Sequence, residues 1–207
     1  MATFAALVND FSQELESLVA RFKAPIPPDL PYSSSCPPVH EASQSFLVIS
    51  LQNCWINYTQ ELIQLSMEGG QATLSGSVIT RTLPTGVAKE EIRRAAKTVA
   101  TRLNFPDPNW QNCGFVAEVA GELGLENAKT IALELGSNKT AGYTTSVRNY
   151  LVHPESRARQ RYRRVANTFG LPNAEPIRLL NSPQLGGIPL FEYWVRSIMA
   201  TALDAAQ

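Results

Sequence analysis

One long stretch of apolar residues at helical spacing, residues 42–68, most constrains what this chain can fold into. Its apolar side chains recur every three or four residues, and two glycines, Gly69 and Gly70, end the run. A wide buried face is predicted, formed by Phe46, Ile49, Trp55, Ile56, Leu62, Ile63 and Met67. A helix this long and this apolar is expected at the centre of a core, with other helices packed around it.

Periodicity and helix-ending signals predict further helices along the rest of the chain. They cover residues 3–23, 86–104, 112–123, 126–135, a segment that ends at Val152, 154–169 and about 189–206. Residues 71–82, rich in β-branched and small residues, predict either a short strand or an irregular loop. We therefore predict a mainly α fold in one domain, residues 1–207. It is divided into an N-terminal helix with a Pro/Ser-rich loop (1–40), a helical core (41–170) and a C-terminal helical extension (171–207).

Composition narrows the class of protein. With 44% apolar and 17% charged residues in 207, the chain can bury a core and is not a disordered polymer. The cysteines, Cys36, Cys54 and Cys113, are odd in number and widely spaced, so neither a disulfide framework nor a zinc site is predicted. No metal or other cofactor is expected. The absence of a secretory signal or a long apolar span, together with reduced thiols, favours a cytoplasmic protein without membrane contact.

The distribution of charge is more informative than its total. Lysine plus arginine and aspartate plus glutamate both number 18, so net charge does not indicate a polyanionic partner. Five arginines nevertheless fall within eight residues: Arg157, Arg159, Arg161, Arg163 and Arg164. Such a local basic patch is a candidate for binding phosphates, and the alternative is a solvated, arginine-rich helix face.

A helix junction just before these arginines gathers the residues with chemical content. Pro154 disfavours the α conformation at His153, so the helix that carries Arg148 is predicted to end at Val152 or His153. Pro154 itself is predicted to take the first position of the next helix. Asn149 and His153 are four residues apart and can be neighbours, whereas Arg148 reaches His153 only through the bend, a long side chain or a second subunit.

Residues 148–153 read RNYLVH, and this segment resembles the Arg-Asn-x3-His signature of HEPN domains (higher eukaryotes and prokaryotes nucleotide-binding). An arginine five to seven residues before a histidine occurs by chance in about a third of such sequences, and requiring the asparagine lowers this to about 2%. The resemblance implies a HEPN-like helical bundle, here with extra loops and a C-terminal helix. It also implies a metal-independent endoribonuclease, often dimeric, in a toxin–antitoxin or phage-defence system.

By the same resemblance, Arg148, Asn149 and His153 would be catalytic, and RNA, a second copy of the chain and a possible antitoxin protein would be the partners. Two features depart from the family. Some HEPN toxins that a nucleotidyltransferase silences carry a tyrosine two residues after the histidine, where this chain has Glu155. The segments 24–40, 69–86 and the tail after 170 also exceed a minimal bundle.

These residue types suit RNA cleavage without a metal. An imidazole exchanges protons near neutral pH, and a guanidinium offers two parallel donors to phosphoryl oxygens. Asn149 would orient the imidazole or hold a phosphate oxygen, and the five arginines would track the RNA backbone. Two alternatives stay open: a non-catalytic HEPN-like module that binds RNA or nucleotides, and a helical scaffold that docks partners through the Pro/Ser loop and the last helix.

Overall fold

The computed structural model describes residues 3–24 and 38–207 of the chain. Most of the predicted Pro/Ser-rich loop (residues 25–37), including Cys36, lies outside the described residues. Within the described part, no helix combines the length and the apolar character needed to cross a membrane.

The described residues form nine α-helices, which confirms the predicted mainly α fold. Their bounds are α1 Phe4–Lys23, α2 Pro38–Glu68, α3 Thr85–Arg102, α4 Cys113–Glu122, α5 Ala128–Ser137, α6 Thr140–Val152, α7 Ser156–Thr168, α8 Pro176–Leu180 and α9 Leu190–Ala205. Every predicted helix is present, with ends displaced by a few residues. The short α8 and a single 3-10 turn at Leu185–Gly187 were not predicted.

The long helix α2 lies at the centre, as predicted, and packs against α1, α3, α6, α8 and α9. Aromatic stacking joins α1 to both neighbours, because Phe11 stacks on Tyr58 of α2 and Phe22 stacks on Phe191 of α9. The predicted buried face of α2 was wrong at Phe46, whose side chain is 55% exposed. The adjacent Leu47 is buried in its place, one helical step around the axis.

The remaining helices are arranged as two hairpins, α4 with α5 and α6 with α7. The second hairpin contains the predicted junction. Helix α6 ends at Val152, and His153 caps it with φ of −136° and ψ of 81°, outside the α conformation that a following proline disfavours. The prediction for Pro154 was wrong, because α7 begins only at Ser156. Glu155 has extended backbone and takes the N-cap position, which leaves Pro154 in the two-helix bend.

The segment after α2 is an irregular loop with one isolated bridge between Ala72 and Val78, so the loop alternative holds rather than the strand. Gly69 turns the chain with φ of +60°, and a Cβ at this position would lie 1.7 Å from the backbone oxygen of Arg81. Glu126 anchors the far end of the loop, since its carboxylate accepts hydrogen bonds from the backbone N–H groups of Thr80 and Arg81.

A buried carboxylate joins α1 to α9. Glu192 is 3% exposed, with the Lys23 ammonium 2.6 Å from its Oε2 and the Arg196 guanidinium 2.6 Å from its Oε1. Burial alone would raise the pKa of this carboxyl group, but the interactions with Lys23 and Arg196 outweigh burial and hold the pKa below its ordinary value. The ionised form of Glu192 therefore stabilises the contact between the first and last helices.

We predict that Gly69→Ala lowers the free energy of unfolding by about 3 kcal/mol or more, because left-handed strain adds to a backbone clash. Gly124→Ala is the matched control, since Gly124 has φ of +62° and open space around its Cα. The strain alone should cost about 1 kcal/mol there. Urea denaturation followed by helical circular dichroism measures both values, and equal costs would contradict the clash.

We predict that Glu192→Gln destabilises the protein by about 1–2 kcal/mol at pH 7, less than for a fully buried pair because both cations are partly exposed. The folded pKa of Glu192 is lowered, so this stabilisation is complete above the unfolded pKa near 4.3 and is lost as pH falls through the folded pKa. Urea titrations from pH 7 to pH 3 should show the two proteins converging in acid. Glu118→Gln, which removes an exposed ion pair with Arg102, should change little at any pH.

Candidate nucleic-acid interface

Helix α7 carries five arginines and no acidic residue in its 13 positions. Its buried side, formed by Tyr162, Val165 and Ala166, packs against the rest of the bundle. Successive residues turn by about 100° around an α-helix, which divides the arginines into two rows on either side of this buried strip. Arg157, Arg161 and Arg164 form one row, and Arg159 with Arg163 forms the other.

All five arginine side chains are exposed. The ion pairs among the described residues engage the cations of Lys23, Arg93, Arg94, Arg102 and Arg196, and none of them engages an arginine of α7. The positive charge of α7 is therefore not neutralised by carboxylates in the described part of the chain. Both rows are accessible to an external anion.

Arg161 of the first row borders a cleft of about 530 Å³, which we call the amide cleft. Its polar side chains are mainly amides, with two cations: Asn109, Gln111, Asn112, Asn138, Asn149, Lys139 and Arg161. No carboxylate is among the described residues that line it. Asn149 of the RNYLVH segment and Arg161 of α7 therefore line the same cleft.

Hydrogen bonds from α2 connect two walls of the amide cleft, the loop before α4 and helix α6. The Gln52 amide of α2 donates to Gln111 and, over 3.2 Å, to the Thr145 hydroxyl of α6. Thr145 lies inside α6, and Asn138, just before that helix, accepts a hydrogen bond from the Thr140 N–H over 2.7 Å. The Oδ1 of Asn109 is buried without a hydrogen-bond donor among the described residues.

The three predicted catalytic residues are placed close in sequence but differ in environment. Arg148 and Asn149 are half-buried, and Nη1 of Arg148 donates to Oδ1 of Asn149 over 3.1 Å. His153 is exposed, and no described side chain forms a hydrogen bond with its imidazole. The backbone of His153 is bonded to α6, since its N–H donates to the Asn149 carbonyl over 2.8 Å. One chain thus brings Arg148 and Asn149 together, with His153 facing solvent at the bend.

Sequence reasoning missed most of the amide cleft. Residues 109–112 read NWQN, and this density of amides just before α4 was a usable signal for a polar site. Lys139 gave no such signal, because only the packing of α6 against α7 brings Lys139 and Arg161 to the same cleft.

The chemistry available at this surface is hydrogen bonding, positive charge and proton exchange. Among the described residues, no group of three or more His, Cys, Asp or Glu side chains is arranged to hold a metal ion. Cys54 and Cys113 are free and partly buried, and burial raises the pKa of Cys113 to about 11 and, as the first of several causes, that of Cys54 to about 12. Both thiols are therefore protonated near neutral pH and poor nucleophiles.

Comparison with protein-family models, with curated proteins and with solved structures gave no match for this chain. The resemblance to HEPN domains therefore rests on the six residues from Arg148 to His153 and on the helical fold.

Proposed function

We propose that this protein binds RNA through α7 and the amide cleft, and that it cleaves the RNA as a HEPN-type, metal-independent endoribonuclease. The observation that carries the proposal is the set of five exposed arginines on α7, unpaired among the described residues, beside a cleft that contains Asn149. A cytoplasmic setting, and a role as a toxin or in phage defence with a possible antitoxin partner, belong to the same proposal.

The binding step follows from charge and shape. Arg157, Arg161 and Arg164 recur along one side of α7, so they follow a line about 10 Å long. Guanidinium groups bind phosphates well, and neutralising phosphates releases counterions, which makes the affinity fall with salt. The amides of the cleft suit ribose hydroxyls and base edges, since each amide both donates and accepts hydrogen bonds.

The catalytic step assigns a role to each of the three motif residues. His153 takes the proton from a ribose 2′-hydroxyl while the 2′-oxygen bonds to phosphorus. The bond from phosphorus to the 5′-oxygen breaks, and that oxygen gains a proton, so the products are a 2′,3′-cyclic phosphate and a 5′-hydroxyl. Arg148 stabilises the charge on the phosphoryl oxygens, and Asn149 positions the guanidinium through the observed hydrogen bond.

A homodimer completes this mechanism. Within one chain, His153 and Arg148 share no hydrogen bond, and a single imidazole must serve two proton transfers. Two copies that meet at the bend between α6 and α7 would supply two histidines, one as base and one as acid. The exposed position of His153 leaves it accessible for such a meeting.

The same geometry favours a second candidate, an RNA-binding module without turnover. The Arg148 guanidinium donates to Asn149 within its own chain, and the exposed His153 has no orienting partner among the described side chains. Binding by α7 requires neither residue. Measuring binding and cleavage separately distinguishes the two functions.

We predict that the triple variant Arg157→Ala, Arg161→Ala and Arg164→Ala weakens RNA binding and flattens its salt dependence. Each phosphate contact on a single strand contributes about −0.7 to the slope of log K against log salt, so three lost contacts reduce the slope by about 2. Fluorescence anisotropy with a labelled single-stranded RNA between 50 and 300 mM salt measures the slope.

The matched control is Arg93→Ala, Arg94→Ala and Arg102→Ala, which removes the same charge from arginines held in ion pairs on α3 and beside α4. Its salt slope should stay close to that of the parent protein, and exposed ion pairs contribute little to stability. If the two triple variants weaken binding equally, the effect is net charge and α7 is not the interface.

We predict that the protein cleaves RNA in EDTA and that His153→Ala reduces the rate at least about 100-fold, the typical contribution of a general acid or base. His40→Ala, which alters the only other histidine, should cleave at the parent rate. Gel analysis of a 5′-labelled RNA, with acid treatment to open the cyclic phosphate, identifies the product ends.

A mixture of Arg148→Ala and His153→Ala proteins then tests whether two copies share a site. In a hybrid dimer, one copy supplies Arg148 and the other supplies His153 to the shared site, so mixing should restore part of the activity. If salt-sensitive RNA binding persists but neither the parent nor the mixture cleaves, the catalytic proposal fails and the binding module remains.

A further inference from the structure

The second row of α7 arginines borders another cleft, on the opposite side of the helix from the amide cleft. Its volume is about 310 Å³, at the lower end of the range for small-ligand sites. The side chains that matter are Tyr150, Tyr162, Arg159, Arg163, Asn173 and Glu175, and we call this space the tyrosine cleft. None of the three proposed catalytic residues lines it.

Two stacked tyrosines form its floor. The rings of Tyr150 and Tyr162 lie 4.6 Å apart with planes 12° from parallel. Tyr162 is 4% exposed and its hydroxyl donates to the Ala174 carbonyl, so its ring is held in place. Tyr150 is half-buried, stacks one face on Tyr162 and lines the cleft. A fixed aromatic ring of this kind is a stacking platform for a base.

Charges of both signs surround this platform. Arg159 and Arg163 are one helical turn apart and are not engaged by any described carboxylate, so they can hold a phosphate together. Glu175 also lines the cleft. The pKa of the Tyr162 hydroxyl is raised, mainly by burial and then by the negative charge of Glu175. Glu175 holds the N-cap position of α8 without using its side chain as a cap, so its carboxylate is free to accept hydrogen bonds from a ligand.

The combination of a stacking ring, two guanidiniums and a carboxylate matches a nucleotide better than it matches other anions. A phosphate or sulfate alone would gain nothing from Tyr150 and would be repelled by Glu175. A carboxylate accepts hydrogen bonds but does not donate them, so it favours a base edge with adjacent N–H groups. Among the RNA bases, guanine has two such donors side by side, on N1 and N2.

We propose that the tyrosine cleft binds one unpaired guanosine nucleotide of the RNA, with its base on Tyr150, its Watson–Crick edge at Glu175 and its phosphate at Arg159 and Arg163. This inference rests on the proposed RNA-binding function and deepens it by assigning a base preference. Because Asn149 and Tyr150 open to clefts on opposite sides of α7, the recognised nucleotide is separate from the one at the amide cleft.

The test uses the full chain and ten-nucleotide RNAs with 2′-O-methyl sugars, which cannot be cleaved. One RNA is all uridine, and two others carry a single central guanosine or adenosine. Fluorescence anisotropy should show about tenfold tighter binding of the guanosine RNA, the effect expected of one good two-donor contact. Glu175→Gln should abolish this preference and leave the affinity for all-uridine RNA unchanged or slightly higher.

Two further variants distinguish stacking from simple charge. Tyr150→Leu should lose affinity for the guanosine RNA, and Tyr150→Phe should retain it, because the phenyl ring still stacks. Titration of GMP against AMP, followed by the nuclear magnetic resonance signals of Tyr150 and Tyr162, locates the ligand in the parent protein. GMP alone should shift these signals at sub-millimolar concentration.

The outcomes separate this inference from the proposed function. If RNA binds with salt sensitivity but without preference for guanosine, or if Glu175→Gln keeps the preference, the guanosine site is overturned and the proposed RNA binding stands. If no RNA binds at any salt concentration, both are overturned. A Tyr150→Leu protein with native circular dichroism but unchanged guanosine affinity would also exclude the stacking platform.

Discussion

The burial of α2 is the constraint on which the rest of this structure depends. Its apolar residues occupy most of its circumference, so neighbouring helices must cover it on several sides. Helices α1 and α9 cover one part, and the stacked pair Phe22 and Phe191 joins these two neighbours to each other. The interactions of Glu192 with Lys23 and Arg196 reinforce that contact at its edge. Helix α6 covers another part, and it carries Arg148 and Asn149, with His153 at its C-cap.

Helix α6 acts as a fixed intermediate between the core and the arginine-bearing helix. On its inner side, Thr145 accepts from Gln52 of α2, and on its outer side Tyr150 stacks on Tyr162 of α7. Consecutive residues of a helix point about 100° apart, so Asn149 and Tyr150 open to different clefts although they are neighbours in sequence. The bend from His153 to Glu155 then folds α7 back along α6, which places Arg161 at the amide cleft and Arg159 with Arg163 at the tyrosine cleft.

The local elements of this fold were predictable, and the clefts were not. Apolar periodicity located each long helix, and the restriction before Pro154 located the end of α6, because both are effects within a few residues. The first residue of α7 was predicted wrongly, because Glu155 takes the N-cap position with extended backbone and the helix begins at Ser156 rather than at Pro154. The amide cleft joins residues from 105 to 161, and the tyrosine cleft adds residues after 172, so tertiary packing alone assembles them. The spacing of Tyr150 and Tyr162 carries no signal of their stacking.

The charge distribution gives the strongest reason to regard α7 as a binding surface rather than a solvated one. The chain as a whole is neutral, and acidic residues elsewhere neutralise arginines of α3 and α9. A solvated helix ordinarily mixes both signs along its surface, which adds favourable pairs one turn apart. Helix α7 instead places like charges one turn apart at 157 and 161, at 159 and 163, and at 161 and 164. Each such pair costs about 0.2–0.5 kcal/mol, so the free protein bears roughly 1 kcal/mol of repulsion here. A polyanion that lies along α7 would convert that repulsion into attraction.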